Sequence, residues 1–394
     1  MTYLRDALTE RVGEFIQLRR DIHRHPELAF EEHRTSDLVA AKLQSWGYQV
    51  HRGLGGTGVV GTLKRGSSER KLGIRADMDA LPIQEATGAE WASTRQGLMH
   101  TCGHDGHTAM LLAAAKAIAQ APDFDGTLNL IFQPAEEGGG GALKMMEDGL
   151  FDRFPVQSIY AMHNWPAMKP GTVGINAGPM MAAADRFTIE ITGRGGHGAH
   201  AYQTVDVLVV AAHIITAAQS IVSRNVRPIE SAVVSICAAQ AGDLGAFSVL
   251  PGSATLVGTV RTFDPVVQEM VEKRLKELCN AIALGFGATA TVHYERIYPA
   301  TINSESEAIF AGDVAESLLG ADHVVRDLEP SMGAEDFAFM LQTRPGAYLR
   351  IGQGTGASGS ALHNSRYDFN DDILPLGSAL HASLIEQAMP LAAA

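Results

Sequence analysis

Strand-like runs alternate with helix-like segments in this chain, and the alternation limits the possible folds more than any other feature. Short apolar runs at 59–63, 71–76, 127–132 and 158–162 have the length and composition of strands. Between two of them, 107–121 has the length and the Ala/Leu content of a buried helix. This order predicts an α/β fold with a mostly parallel sheet and helices on its faces.

The two ends of the chain extend this pattern. From Leu4 to Trp46 the sequence is helical in character and is broken once, at HRHPE. Pro26 suits the first turn of a helix, so we expect a second helix to begin there. Near the other end, the strand-like run AYLRIG precedes a polar loop that carries His363.

The middle of the chain has a different organisation. The predicted elements follow the order β-α-β-β-α-β, at 185–192, 204–223, 231–240, 253–262, 265–283 and 289–295. That order is typical of a small ferredoxin-like domain. A length of 394 residues also suits two domains better than one. We therefore expect a catalytic domain formed by 1–183 and 295–394, with 184–294 inserted into it.

Charge and cysteine content narrow the classes of function. The chain has 31 Lys and Arg against 44 Asp and Glu, a net charge of −13, which disfavours nucleic acid or an anionic membrane as a partner. Without a leader-like apolar segment, we expect a cytoplasmic protein. Three scattered cysteines argue against a disulfide framework, and we expect Cys237 and Cys279 to be small buried hydrophobes.

Polar residues follow several predicted strands at the point where each strand ends. Asp77 and Asp79 follow one strand, Glu136 and Glu137 follow another, and His163 ends a third. In an open α/β sheet, ligands bind outside the carboxyl ends of the strands. These side chains are therefore expected to converge at one edge of the sheet.

The segment HTCGHDGH, which precedes the buried helix, completes a candidate metal site. A thiolate and an imidazole separated by one glycine suit Zn, Ni, Co or Mn. The candidate ligands are Cys102, His104, Glu137, His163 and His363. Because five donors exceed what one catalytic metal usually takes, two divalent ions that share a bridge are the better prediction. Glu136, beside a ligand, is then available as the base that activates water.

The motifs taken together resemble a known group of enzymes. They are RRDIHRHPELAFEE, GIRADMDALPIQE, HTCGHDGHTAMLL, FQPAEEGGGGA, AMHNWP, GRGGHGAH, SMGAEDFAF and LHNSRYDFNDD. In this order they resemble the hippurate hydrolase, N-acyl-amino-acid amidohydrolase and auxin-conjugate hydrolase group. That group is a branch of the two-metal metallopeptidases that include aminoacylases and carboxypeptidases.

The resemblance implies roles for individual residues. It assigns the same five residues as metal ligands, with the Cys102 thiolate as the bridge, and it makes Glu136 the base. Asp79 resembles the acid that orients a ligating histidine.

The inserted segment resembles a lid and dimerisation domain. His197 would stabilise the oxyanion in the partner's site, and Arg261, assisted by Asn225, would hold the substrate carboxylate. His200 and Tyr202 depart from the group's usual pattern after His197.

The implied reaction is hydrolysis of N-benzoyl, N-acetyl or similar amino acids to a carboxylic acid and a free amino acid, by a homodimer or higher homo-oligomer. Peptide cleavage of the dipeptidase or carboxypeptidase type is an alternative at the same site. A cysteine hydrolase using Cys102 with His104 or His107 would leave the other donors without a role. The third alternative is a metal- or metabolite-binding protein without turnover, and the intact Glu136 argues against it.

Overall fold

Two separate hydrophobic cores divide the chain into two units. The computed structural model describes residues 2–120, 123–355 and 359–391. Unit 1 is formed by Met1–Met180, Ile302–Glu329 and Asp336–Ala394, and unit 2 by Met181–Thr301 and Pro330–Glu335. Burial of each large apolar side chain in such a core contributes about 1.5–3 kcal/mol relative to exposure.

The elements of both units are numbered in chain order. The α-helices are α1 (Thr2–Arg24), α2 (His33–Ser45), α3 (His104–Gln120), α4 (Gly141–Glu147), α5 (Leu150–Arg153), α6 (Val207–Ser220), α7 (Pro265–Gly285), α8 (Glu305–Leu319), α9 (Phe337–Leu341) and α10 (Leu374–Ala388). Shorter helical turns lie at Gly198–Gln203, Ile221–Asn225, Ala321–His323 and Asp371–Ile373.

The strands are β1 (Gln49–Leu54), β2 (Gly58–Arg65), β3 (Lys71–Asp77), β4 (Gly126–Gln133), β5 (Ser158–Trp165), β6 (Val173–Gly174), β7 (Gly178–Met181), β8 (Ala183–Thr192), β9 (Gly196–His197), β10 (Ala232–Ala241), β11 (Val249–Leu250), β12 (Ser253–Thr262), β13 (Thr289–Tyr298), β14 (Thr301–Asn303), β15 (Val324–Val325) and β16 (Gly346–Gly352).

Unit 1 is built on a mixed sheet in the order β1-β2-β4-β3-β5-β16-β6-β15. The central strands β4, β3, β5 and β16 are parallel to their neighbours in this group. The flanking pairs β1/β2, β2/β4 and β16/β6 are antiparallel. Strands β3, β5 and β16 have no exposed residue, as is typical of parallel strands covered on both faces. The predicted α/β fold is confirmed, with its parallel pairs concentrated at the centre of the sheet.

Two predicted helix boundaries in unit 1 differ from the structure. Helix α3 begins at His104 rather than at 107, and the predicted end at 121 lies outside the described residues. The prediction that Pro26 begins a helix is wrong, because α2 begins at His33. The buried Glu27 carboxylate accepts the backbone N–H of Arg34 and of Thr35 at 2.9 Å, and this fixes the start of α2.

Unit 2 contains the order β8-α6-β10-β12-α7-β13, with a fully antiparallel sheet β10-β12-β8-β13. The helix predicted at 204–223 is shorter than expected. Helix α6 begins at Val207 because the Asp206 side chain caps it by accepting the N–H of Leu208 at 2.9 Å. Asp264 caps α7 in the same way, directly before Pro265.

Strand β10 and helix α6 leave apolar groups at the surface of unit 2. Cys237 is exposed on β10, so the prediction that it is buried is wrong, whereas Cys279 is buried as expected. The stretch Val207–Asn225 is long and apolar enough to cross a membrane by length and composition, and 33% of it is buried. Apolar helices of soluble proteins meet the same criterion, so this stretch does not by itself indicate a membrane protein.

Candidate active site

Three neighbouring strands of unit 1 end at one edge of the sheet, and each carries a predicted site residue there. Strand β3 lies between β4 and β5, parallel to both. Asp77 ends β3, and the segment with Glu136 and Glu137 follows β4. His163 lies near the end of β5, and α3 begins at His104. Parallel pairing therefore brings together residues that are distant in sequence.

The five candidate ligands form two overlapping groups. The ligand atoms of Cys102, His104 and His163 lie within 4.8 Å of one another, and so do those of Cys102, Glu137 and His363. Within these groups, Cys102 Sγ lies 3.3 Å from His163 Nε2. Glu137 Oε1 lies 3.0 Å from His363 Nε2. Cys102 is the residue that the two groups share.

The chemistry of these donors fits two divalent cations. His104 Nε2 is buried and has no hydrogen-bond partner among the described residues. Burial, followed by the negative charges of Glu137 and Glu136, raises the pKa of the Cys102 thiol well above its ordinary value. A thiolate at this position therefore requires a compensating cation. Thiolate, imidazole and carboxylate donors together suit Zn, Mn, Ni or Co.

Asp79 contacts both groups of donors. Its Oδ1 lies 3.1 Å from His104 Nδ1, and its Oδ2 accepts the backbone N–H of Glu137 at 2.9 Å. Burial opposes protonation of His104, but Asp77 and Asp79 outweigh it and raise the pKa of His104 to about 10. The contact with Asp79 orients the ring so that Nε2 is directed away from Asp79 and is available to a metal.

Glu136 lies beside the donors and is 7% exposed. One of its carboxylate oxygens lies within 4.8 Å of the ligand atoms of His104 and Glu137. Its Oε1 accepts the backbone N–H of Asp336 at 3.4 Å. A buried carboxylate next to a metal site, held by a backbone N–H, has the placement that a general base needs.

His107 belongs to a hydrogen-bonded chain that lies beneath the donors, a role that its sequence motif does not predict. Its Nδ1 lies 2.6 Å from Asp77 Oδ1 and its Nε2 lies 2.7 Å from Asn164 Oδ1. The Asn164 side chain in turn donates to the Tyr367 hydroxyl at 2.7 Å. Because both ring nitrogens are engaged, His107 is poorly placed to act as the base for a Cys102 nucleophile. In the sequence, the only indication that His107 belongs to the site is its closeness to the Cys-x-His pair.

Arg75 lies buried under the same edge of the sheet, and the sequence does not predict its role either. Its guanidinium donates to Asp77 at 2.7 Å, to Gln133 at 2.8 Å and to Asp336 at 3.0 Å. Burial would raise the pKa of Asp77, but the charges of His104, His107 and Arg75 hold it well below its ordinary value. Arg75 therefore joins the ends of β3 and β4 to the segment that begins α9.

His363 is the most exposed donor, with 52% of its side chain accessible. It has a positive φ of 59° and donates its backbone N–H to Thr101 O at 2.9 Å, next to Cys102. The segment that follows it is held to α1, because buried Arg19 donates to Asp368 at 2.5 Å and to Phe369 O at 2.7 Å.

The other predicted residues lie in unit 2. His197 is exposed, and its Nδ1 accepts the backbone N–H of Ala199 at 3.1 Å. Asn225 is exposed at the end of the turn Ile221–Asn225. Arg261 is half-buried on β12, where it donates to Val260 O at 3.0 Å and to the Thr259 hydroxyl. Arg261 forms no ion pair with a carboxylate within the described ranges.

Comparisons with known proteins agree with this geometry. Residues 73–387 match the profile of Peptidase family M20/M25/M40. The chain is 43% identical over 372 residues to the hippurate hydrolase of Campylobacter jejuni, covering 94% of this chain and 96% of that protein. It is 36% identical over 376 residues to thermostable carboxypeptidase 1 of Saccharolobus solfataricus, covering 94% of each. A solved structure from Bacillus subtilis, described as a dinuclear metal binding peptidase, is 33% identical with a TM-score of 0.83, covering 96% of this chain and 98% of that one.

Proposed function

This chain belongs to peptidase family M20/M25/M40, and from that premise we propose that it hydrolyses N-acyl amino acids to a carboxylic acid and a free amino acid. The observation that carries the proposal is the pair of donor groups that share Cys102, with the Glu136 carboxylate beside them. The resemblance to a hippurate hydrolase over nearly the whole chain supports a benzoyl, acetyl or similar acyl group.

The five donors, with Cys102 as the residue that belongs to both groups, would hold two divalent ions. When bound, they would supply Lewis-acid activation of the amide carbonyl and of the attacking water. The site suits Mn, Zn, Ni or Co.

Glu136 then performs the proton transfers of the reaction. It takes a proton from the water whose oxygen attacks the carbonyl carbon. It returns that proton to the amide nitrogen as the carbon–nitrogen bond breaks, so that the amino acid leaves as an amine. Asp79 contacts both His104 and the Glu137 backbone, and so holds these two ligands in place beside the Glu136 carboxylate.

Residues of unit 2 are assigned to substrate recognition. Arg261 binds the α-carboxylate of the substrate through its guanidinium fork, assisted by Asn225. The half-buried guanidinium bonds to its own strand and forms no ion pair in the described part of the chain, which supports this role. His197 donates to the oxyanion that forms during attack.

A homodimer, or a larger homo-oligomer, assembled through unit 2 is part of the proposal. Strand β10 is an edge of its sheet. Around it, Leu244, Phe247 and Ile229 are each at least 80% exposed, and such apolar surface is typical of an interface. Size-exclusion chromatography with light scattering tests the assembly, and a monomer at micromolar concentration would contradict it. We place the enzyme in the cytoplasm, with small molecules as its ligands.

Peptide cleavage is the second candidate, because the chain is 36% identical to a carboxypeptidase, against 37% to an IAA-amino acid hydrolase and 36% to an N-acetylcysteine deacetylase. It uses the same donors and the same base. N-benzoylglycine and an unblocked dipeptide, assayed side by side, distinguish the two candidates.

The test is a screen of N-acyl amino acids with metal-stripped protein reconstituted with Mn, Zn, Ni or Co. We expect activity to disappear on exhaustive chelation and to return with at least one of these ions. Activity that survives chelation but is abolished by thiol alkylation would instead support the cysteine-hydrolase alternative.

A further inference from the structure

The loop between α1 and α2 contains the motif HPELAFEE, to which the proposed function assigns no role. At its end lies Glu32, whose side chain is 0% exposed. It forms no ion pair within residues 2–120, 123–355 and 359–391. A buried carboxylate without a cation partner is unusual, and its hydrogen bonds must account for its presence.

The two oxygens of Glu32 join three segments of unit 1. Oε1 accepts the backbone N–H of Phe30 and of Ala135, each at 2.9 Å. Oε2 accepts the hydroxyl of Thr57, in the turn between β1 and β2. Glu32 therefore connects its own loop to the residue directly before Glu136.

Both amides that Glu32 binds belong to residues with unusual backbone conformations. Phe30 has φ 65° and Ala135 has φ 53°, in the left-handed region that residues with a Cβ rarely adopt. Such a conformation persists when surrounding contacts determine it. The shared Glu32 oxygen is one of these contacts for both residues.

The segment after Ala135 folds back and packs against it. A Cβ at Gly139 would lie 2.7 Å from Ala135 Cβ and 3.1 Å from the Phe30 ring. The Gly141 N–H donates to Ala135 O at 3.0 Å. A change in the Ala135 peptide would therefore displace Glu136 and Glu137.

We infer that Glu32 is a positioning residue, which fixes the Ala135 peptide and thereby sets the places of the base Glu136 and the metal ligand Glu137. The inference rests on the proposed function for its catalytic consequence, while its effect on metal binding is measured independently of turnover. What matters is the acceptor geometry of Oε1. A glutamine retains this acceptor, and its amide can donate to Thr57.

The experiment compares Glu32→Ala and Glu32→Gln with the wild-type holoenzyme. We expect Glu32→Ala to lower kcat for N-benzoylglycine about 10- to 100-fold with KM changed less than about 3-fold, and to weaken Mn or Zn binding by a similar factor. Glu32→Gln should keep both kcat and metal affinity within about 3-fold of the wild-type values. An Ala variant with wild-type kcat and metal affinity would overturn the inference, and so would a Gln variant as impaired as Ala.

Glu27→Ala is the matched control. Glu27 is a buried carboxylate of the same loop, but it accepts N–H groups of α2 instead of Ala135. The Glu27→Ala variant should have lower thermal stability than wild type, but its kcat should stay within about 3-fold of the wild-type value. An equal loss of kcat in Glu27→Ala would mean that loop stability alone is responsible.

If Glu32→Ala does not fold, the double variant Glu32→Ala/Ala135→Gly is the second test. Glycine adopts the left-handed conformation readily, so residue 135 would no longer need the contact with Glu32. The double variant should yield more folded protein that binds metal than Glu32→Ala does. A double variant no better than the single would contradict the inference. If the wild type binds two ions but hydrolyses no N-acyl amino acid, the proposed substrate class fails, and the metal-affinity comparison still decides the role of Glu32.

Discussion

Replacing Arg75 with methionine would remove the positive charge that lies between two buried carboxylates. Arg75 is 1% exposed, and it contacts Asp77 at 2.7 Å and Asp336 at 3.0 Å, both 0% exposed. Methionine preserves much of the aliphatic volume but leaves both acids without this partner. Removing one partner of a buried ion pair typically costs about 3–5 kcal/mol, so we expect a loss of that size in the free energy of unfolding.

The loss should depend on pH in a defined direction. Because its cationic neighbours depress the pKa of Asp77 in the folded state, Asp77 contributes stability above its unfolded pKa of about 3.9. That contribution is lost as pH falls toward the folded pKa. Arg75→Met reduces the depression, so the difference in stability between wild type and variant should be largest near pH 7 and should shrink below about pH 4.

Urea unfolding of the metal-free protein, followed by fluorescence and circular dichroism, measures both effects. Arg52→Met is the control, because Arg52 pairs with Asp37 at the surface, where the two side chains are 46% and 68% exposed. Pairs of this kind are worth about 0–1 kcal/mol. An Arg75→Met loss below about 1 kcal/mol, or one that is as large at about pH 3 as at pH 7, would show that Arg75 does not stabilise the ionised Asp77 in this way.

Three further predictions concern the site. Cys102→Ser should reduce bound metal below two ions per chain, measured by elemental analysis, while the stability of the metal-free protein changes by less than about 1 kcal/mol; full metal occupancy would exclude the bridging role. Gly103→Ala should destabilise by more than about 2 kcal/mol in thermal unfolding, since φ is 96° and the new Cβ would lie 2.3 Å from Asn164 Oδ1. Gly97→Ala, at φ 77° with nothing within 4 Å, should cost only about 1 kcal/mol, and equal losses would contradict the packing argument. Arg261→Met should lower kcat/KM for N-benzoylglycine about 10- to 100-fold while leaving the carboxylate-free N-benzoylglycinamide unchanged, and equal effects on both substrates would exclude carboxylate recognition.

The part of the fold that was predictable depends on local pattern. Continuous apolar runs followed by acids or histidine predicted the strands, and the rule for parallel sheets predicted that Asp79, Glu137 and His163 would converge. Spacing along the chain also predicted the β-α-β-β-α-β order of the middle segment.

The parts that were not predictable depend on contacts between distant residues. Asp336 follows Glu136 by 200 residues, and Glu32 precedes Ala135 by 103, so no local pattern connects them. The prediction that a helix begins at Pro26 is wrong for the same reason. Proline permits a first turn there, but the Glu27 side chain and the tertiary contacts of the loop decide that α2 begins at His33.

The role of Glu136 as the base at a two-metal amide-hydrolysing site can be tested in a single comparison. Bound metal and hydrolysis of N-benzoylglycine are measured on the same samples of wild type and Glu136→Gln. We expect about two ions per chain in both proteins and a kcat about 10²- to 10⁴-fold lower in the variant. A variant that keeps kcat within tenfold of wild type, or a wild type that hydrolyses the substrate equally well after its metal is removed, would contradict it.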